Sequence, residues 1–195
     1  MPKAALHLSG DQQADDLISR DPLALLIGMV LDQQIPLEKA FSSPAVLAQR
    51  LGGRLDAAVI AGMDPDALIE IFKERPALHR FPGSMAARVQ ELCRLIVDEY
   101  GGKADAVWKK LPDGSTLVAN LRQLPGFGEQ KAKIFAALLG KQLGVQPEGW
   151  RVASKPFGEE GSFLSVADIV DTASLAKVRA HKQAMKAKAK AQVKA

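Results

Sequence analysis

One short stretch of this chain has the residue types to hold a phosphate. Leu124-Pro125-Gly126-Phe127-Gly128 stands between two helical patterns, Ser115–Gln123 and Glu129–Gly140. Glycine can take positive φ and lets another backbone come close. Gly128 leads straight into the second helix, so backbone N–H groups around Gly126–Gln130 are expected to point outward at the positive end of a helix dipole. That is a favourable place for an anion, phosphate above all. A PGxG pattern also serves as a plain helix–helix turn, so the flanking chain has to decide.

The other chemistry-bearing residues are scattered. Asp171 precedes the last helical pattern and fits an ordinary N-cap. Lys131 is expected to be a solvated helix lysine. His7, His79 and His181 have no metal-ligand spacing and read as surface residues. Cys93 falls near an apolar helix stripe and reads as a buried thiol. As the only cysteine, it excludes an intramolecular disulfide, a cysteine zinc site and a four-cysteine iron–sulfur cluster. Trp108, Trp150 and Phe127 could wall a base pocket by stacking, with core packing the expectation for Trp108.

The elements that must position these groups read as helices throughout. Asp21-Pro22 is a capping residue followed by proline at the first helical position, and it opens the apolar run Leu23–Leu31. Separate short helices are expected at Leu37–Phe41, Pro44–Leu51 and Leu55–Ala61, and Asp64-Pro65 starts another over Asp66–Lys73. Pro76–Phe81 reads as a turn of helix at most. Gly83-Ser84 begins the clearest one, with Met85, Val89, Leu92, Ile96 and Tyr100 recurring at spacings of three and four. Ala104–Leu111 reads as a short helix, residues 144–164 as a long ordered loop, and Asp171 as the cap of a final helix. No strand pattern competes, so the fold class is all-α.

Apolar residues make up 47% of the 195, enough for a sizeable core, and the whole chain reads as one domain. No apolar run is long enough to span a membrane, and the start lacks a signal-peptide pattern, so a cytoplasmic protein is expected. The net charge of +4 is uneven: residues 172–195 hold seven cations and no acid, so the remainder is net negative. A Lys/Ala tail from about residue 180 suits the phosphates of a nucleic acid, and equally a solubilising helix end.

With the helices in place, the chain resembles the helix–hairpin–helix DNA glycosylases of base excision repair. Leu124-Pro-Gly-Phe-Gly128 fits the family's Leu-Pro-Gly-Val-Gly pattern. Ser84-Met-Ala86, Cys93-Arg94 and Gly101-Gly102 resemble the helix that precedes the hairpin. Leu31-Asp-Gln-Gln-Ile35 looks like the Gln-Gln helix end of the alkyladenine glycosylase branch. The resemblance covers roughly residues 20–140. It implies a two-lobed helical fold, a monomer that binds duplex DNA, and a hairpin that holds a phosphate, with Gly126, Phe127, Gly128, Gln130 and Lys131 at the DNA and the hairpin unit occupying 115–140. Gln34 resembles the residue that fills the gap left by a flipped base. No cofactor is implied beyond a monovalent cation on the hairpin carbonyls, and no iron–sulfur cluster.

The resemblance also implies a reaction. A damaged base is extruded into a pocket and its N-glycosidic bond hydrolysed with the help of an aspartate near a later helix start. Gln130 stands where bifunctional members place a nucleophilic lysine, and an amide cannot form a Schiff base. A monofunctional glycosylase without lyase activity is therefore implied. The aspartate is Asp171 or Asp168, alternatives to each other, with Glu148 nearer the family's usual spacing but inside the loop. The competing reading is a DNA-binding protein of the same fold that has lost its catalytic acid.

Overall fold

The computed structural model describes residues 5–193, with side chains described to residue 188, and among these it is all-helical. Ten helices are present: α1 (Gln12–Arg20), α2 (Pro22–Leu31), α3 (Leu37–Arg50), α4 (Ala57–Gly62), α5 (Pro65–Lys73), α6 (Pro82–Tyr100), α7 (Gly114–Arg122), α8 (Glu129–Gln142), α9 (Trp150–Ala153) and α10 (Thr172–Val193). Single 3-10 turns lie at Ala104–Val107 and Val166–Asp168. None of these helices is long and apolar enough to cross a membrane.

The organising element is α2. Asp21 caps it by accepting from the N–H groups of Leu23 and Ala24. Every residue from Leu23 to Leu31 is buried, as an apolar run without polar interruption requires. Burying each of its large side chains contributes about 1.5–3 kcal/mol. Gly28 lets α3 come close, because a Cβ there would lie 2.7 Å from the ring of Phe41. Helices α1, α3 and α6 pack around α2, while α4 and α5 cover the far side of α6. The hairpin pair α7–α8, with α9 and the second 3-10 turn against it, completes one continuous apolar core.

Several local expectations need correction. Leu37–Phe41 and Pro44–Leu51 form one helix, with Pro44 in its interior. Proline breaks a hydrogen bond there, but Phe41, Ser43, Pro44 and Leu47 are all buried, and the Ser43 hydroxyl donates to Lys39 O (2.7 Å), which tertiary packing holds in place. Pro76–Phe81 has no helix, and Ala104–Leu111 contains only a 3-10 turn. Helix α1 had no place in the expected set, since its apolar stripe is short. The long loop at 144–164 encloses the brief helix α9, because Trp150 has to lie against Gly140 and Gly114, both of which leave no room for a Cβ beside it. The last stretch of the basic tail, beyond residue 188 for its side chains, lies outside the described residues.

Candidate nucleic-acid interface

The hairpin is a tight turn between α7 and α8. Leu124 N–H donates to Leu121 O (3.2 Å) and Phe127 N–H to Leu124 O (3.0 Å). Gly126 has φ +82°, the left-handed region that favours glycine, and a Cβ there would meet Arg88 Cδ at 2.8 Å. Gly128 differs from the expectation: its φ is −76° with extended ψ, so geometry does not require glycine. What it offers is room, since no atom lies within 4 Å of a Cβ built there. As N-cap of α8 it supplies no side-chain acceptor, and Glu129 pairs with Lys133 (2.8 Å). The first N–H groups of α8 are therefore open to a ligand, as the helix start leaves them without intrahelical partners.

One residue assigned to the DNA side faces elsewhere. Phe127 is buried, 5% exposed, with its ring edge-on to Phe135 at 5.9 Å. It anchors the hairpin to the core and presents only backbone outward. Trp108 packs on Phe135 (5.5 Å), as expected for a core residue, and lines a cavity of about 760 Å³ at the C-terminal end of α8. Gln130 is exposed on the first turn of α8, where an amide can meet a ligand but cannot act as an amine nucleophile.

Lys131 is not a solvated lysine. It turns back from α8, and its ammonium donates to Met29 O (2.6 Å) and Asp32 O (3.3 Å) at the C-terminal end of α2. A cation there satisfies orphan carbonyls and complements the helix dipole. Burial lowers its pKa, the nearby Asp32 raises it and Arg88 lowers it further. The lysine thereby ties the hairpin to the Leu31–Ile35 loop, about a hundred residues away in sequence.

That loop is held from every side. Gln33 donates through Nε2 to Val30 O (2.7 Å) and accepts at Oε1 from Arg88 of α6 (3.2 Å). Its carbonyl accepts from His79 Nε2 (2.9 Å), while His79 Nδ1 accepts from Phe81 N–H (3.0 Å), which fixes the imidazole tautomer. His79 is 2% exposed, so the surface reading of this histidine is corrected: it buttresses Gln33. With Gln33 fixed, Gln34 is exposed and sits at φ +57°, a strained conformation for a residue with a side chain. Such strain persists only where the surroundings over-determine it, and it clusters at functional sites.

The basic helix α10 crosses the same region. Arg179 pairs with Glu38 in the first turn of α3, and Lys182 lies close enough to Asp32 to favour its ionised form. Asp32 itself is half-buried, and burial outweighs Lys182 and Lys131 to raise its pKa.

The aspartates chosen from the sequence are held by other partners, at the C-terminal end of α8 and the start of α10. Asp168 is buried in the 3-10 turn against the C-terminal end of α8, about 18 Å along the helix from its first residue. Its Oδ1 accepts from Lys141 Nζ (2.5 Å) and Ser162 Oγ (3.1 Å), and its Oδ2 from the N–H groups of Leu164 (2.9 Å) and Ser165 (3.1 Å). Asp171 caps α10 by accepting from Ser174 N–H (2.7 Å), and that bond holds its carboxyl below the usual range. It lies three turns before Lys182 along α10. Glu148 is exposed, with its carbonyl accepting from Gly114 N–H (2.7 Å). The structure thus ties the hairpin to the Asp32–Gln34 loop, through the Lys131 ammonium and through Arg88, which lies against Gly126 and bonds Gln33, while Asp168 is tied to the C-terminal end of α8 and Asp171 to the start of α10. Arg88, His79 and Asp32 were missed; the only signal for Asp32 was its place within Leu31-Asp-Gln-Gln-Ile35. No model of a known protein family matches the chain, and no curated protein is significantly similar to it.

Proposed function

We propose that this protein binds duplex DNA across the face formed by the hairpin and the Gln33–Gln34 loop, and that it is a monofunctional DNA glycosylase of the two-lobed helix–hairpin–helix type. The observation that carries the reading is the convergence of those two segments. An uncapped helix start and a strained, outward glutamine lie side by side, joined by Lys131 and Arg88 and flanked by the cationic helix α10.

Each part has a task in this reading. The N–H groups of Gly128–Lys131 hold a backbone phosphate. Lys182 and its neighbours on α10 add sequence-independent attraction. Gln34 enters the stack where a damaged or mismatched base has been extruded, replacing its hydrogen bonds. Unstacking costs a few kcal/mol, least for a damaged base. Water then hydrolyses the N-glycosidic bond, and without an amine at position 130 the abasic strand is left intact. A monovalent cation would fit on the turn carbonyls, because Leu124 O accepts a single hydrogen bond and keeps a lone pair. The protein acts as a monomer.

The test is a panel of duplexes carrying alkylated, oxidised and deaminated bases. Purified protein is expected to leave alkali-labile abasic sites in at least one of them. No abasic site in any would leave a DNA-binding protein without chemistry, a second reading favoured by the occupied oxygens of Asp168.

A further inference from the structure

We propose that Asp32, rather than Asp168 or Asp171, is the catalytic carboxylate of the cleavage; the assignment rests on the glycosylase reading above. Asp32 follows α2 directly and precedes the clamped Gln33 and the strained Gln34. Its backbone carbonyl accepts from Lys131, which fixes it beside the first turn of α8. Its carboxylate is half-buried and takes no hydrogen bond among the described residues. The contrast with Asp168 is direct, since both oxygens of that residue are filled.

The surroundings suit a carboxylate that meets developing positive charge. Lys131 from α8 bonds its backbone carbonyl, Lys182 from α10 is near enough to favour its charge, Arg88 from α6 reaches the next residue, and His79 bonds the Gln33 carbonyl. The two lysines favour the ionised form against the burial that disfavours it. Gln34 is two residues on, within about 7 Å of Cα travel. If Gln34 occupies the gap of a flipped nucleotide, the sugar of that nucleotide passes close to Asp32.

The step is a hydrolysis. The C1′–N bond breaks and its electron pair leaves with the base, while positive charge develops on the sugar opposite the Asp32 carboxylate. A water oxygen bonds to C1′ and gives its proton to Asp32, and the departing base takes up a proton from solvent. One water is consumed, and the carboxylate returns its proton to solvent.

The experiment compares the full-length wild type with Asp32→Asn and Asp32→Glu. Duplex affinity, melting temperature and single-turnover abasic-site formation over a pH series are measured on a lesion the wild type processes. Asp32→Asn is expected to keep affinity within about threefold and to lose at least about 100-fold in rate, the scale of a lost general base. The wild-type rate should fall on acidification through a carboxyl that burial holds above its ordinary range, a limb that Asp32→Asn abolishes and Asp32→Glu restores in part. Asp32→Asn at the wild-type rate would overturn the assignment and leave the glycosylase reading standing. An equal loss of affinity and rate would make Asp32 a binding residue and also overturn it. A wild type that forms no abasic site on any lesion overturns both.

Discussion

The ammonium of Lys131 and the backbone carbonyl of Asp32, 99 residues apart in sequence, meet at 3.3 Å, and the same ammonium reaches Met29 O at 2.6 Å. This pairing joins the hairpin helix to the end of the central helix. It turns two distant motifs into one surface.

Lys131→Met should therefore loosen the whole face. The loss of a charge-assisted bond to a helix C-terminus is worth about 1–3 kcal/mol. For a chain of this size that corresponds to a drop of roughly 2–12 °C in melting temperature, readable by calorimetry. Hydrogen exchange should quicken at Asp32 and Gln33 more than in α5, to which Lys131 makes no hydrogen bond.

Two backbone conformations make opposite predictions. Gly126→Ala puts a Cβ at φ +82° and against Arg88, so it should cost about 1–2 kcal/mol and weaken duplex binding. Gln34→Gly relieves the strain at φ +57°, and denaturant unfolding should show stability unchanged or raised by up to about 1 kcal/mol. The same variant should lose lesion processing, because glycine cannot fill a vacated base position. Gln34→Gly that destabilises would mean the glutamine side chain holds the loop together.

Asp168 and Lys141 form a pair whose side chains are 3% and 14% exposed. Asp168→Asn should cost about 3–5 kcal/mol, because a buried ammonium is left without its charge partner. Replacing both, with Asp168→Asn and Lys141→Met together, should cost less than the two single changes summed. A mild effect of Asp168→Asn on unfolding would argue against a structural role.

Cys93 is fully buried on α6, and burial pushes its thiol up to about 12. Disulfide exchange needs the thiolate. Ellman's reagent at neutral pH should find no reactive thiol in the folded protein and one on adding denaturant. Rapid labelling without denaturant would show that α6 opens locally.

How much was legible follows from what kind of signal each residue carries. Asp21-Pro22, the Leu23–Leu31 run and the Pro-Gly-Phe-Gly turn are local signals, and the α2 helix and the hairpin stand where they point. Pro44 inside α3 was misread because a local helix breaker is outweighed by burial that sequence does not display. Lys131 and His79 looked like surface residues because their partners, Met29 O and Gln33 O, are carbonyls from remote segments. Phe127 sits within the hairpin motif, yet the turn aims its ring at Phe135 and leaves only its backbone outside. Asp32 gave no sign of its own, since its setting between Lys131 and Lys182 is made by three helices.

The central claim is that the start of α8 grips a DNA phosphate, and Gly128 tests it most directly. Its backbone is unstrained and a side chain there meets open space, so Gly128→Val should melt within a few degrees of the wild type. Affinity for a plain duplex, measured for both proteins across a salt series, should fall with salt for the wild type and be at least about tenfold weaker for the variant at low salt. Equal affinities in the two proteins, or no measurable binding by either, would contradict the account.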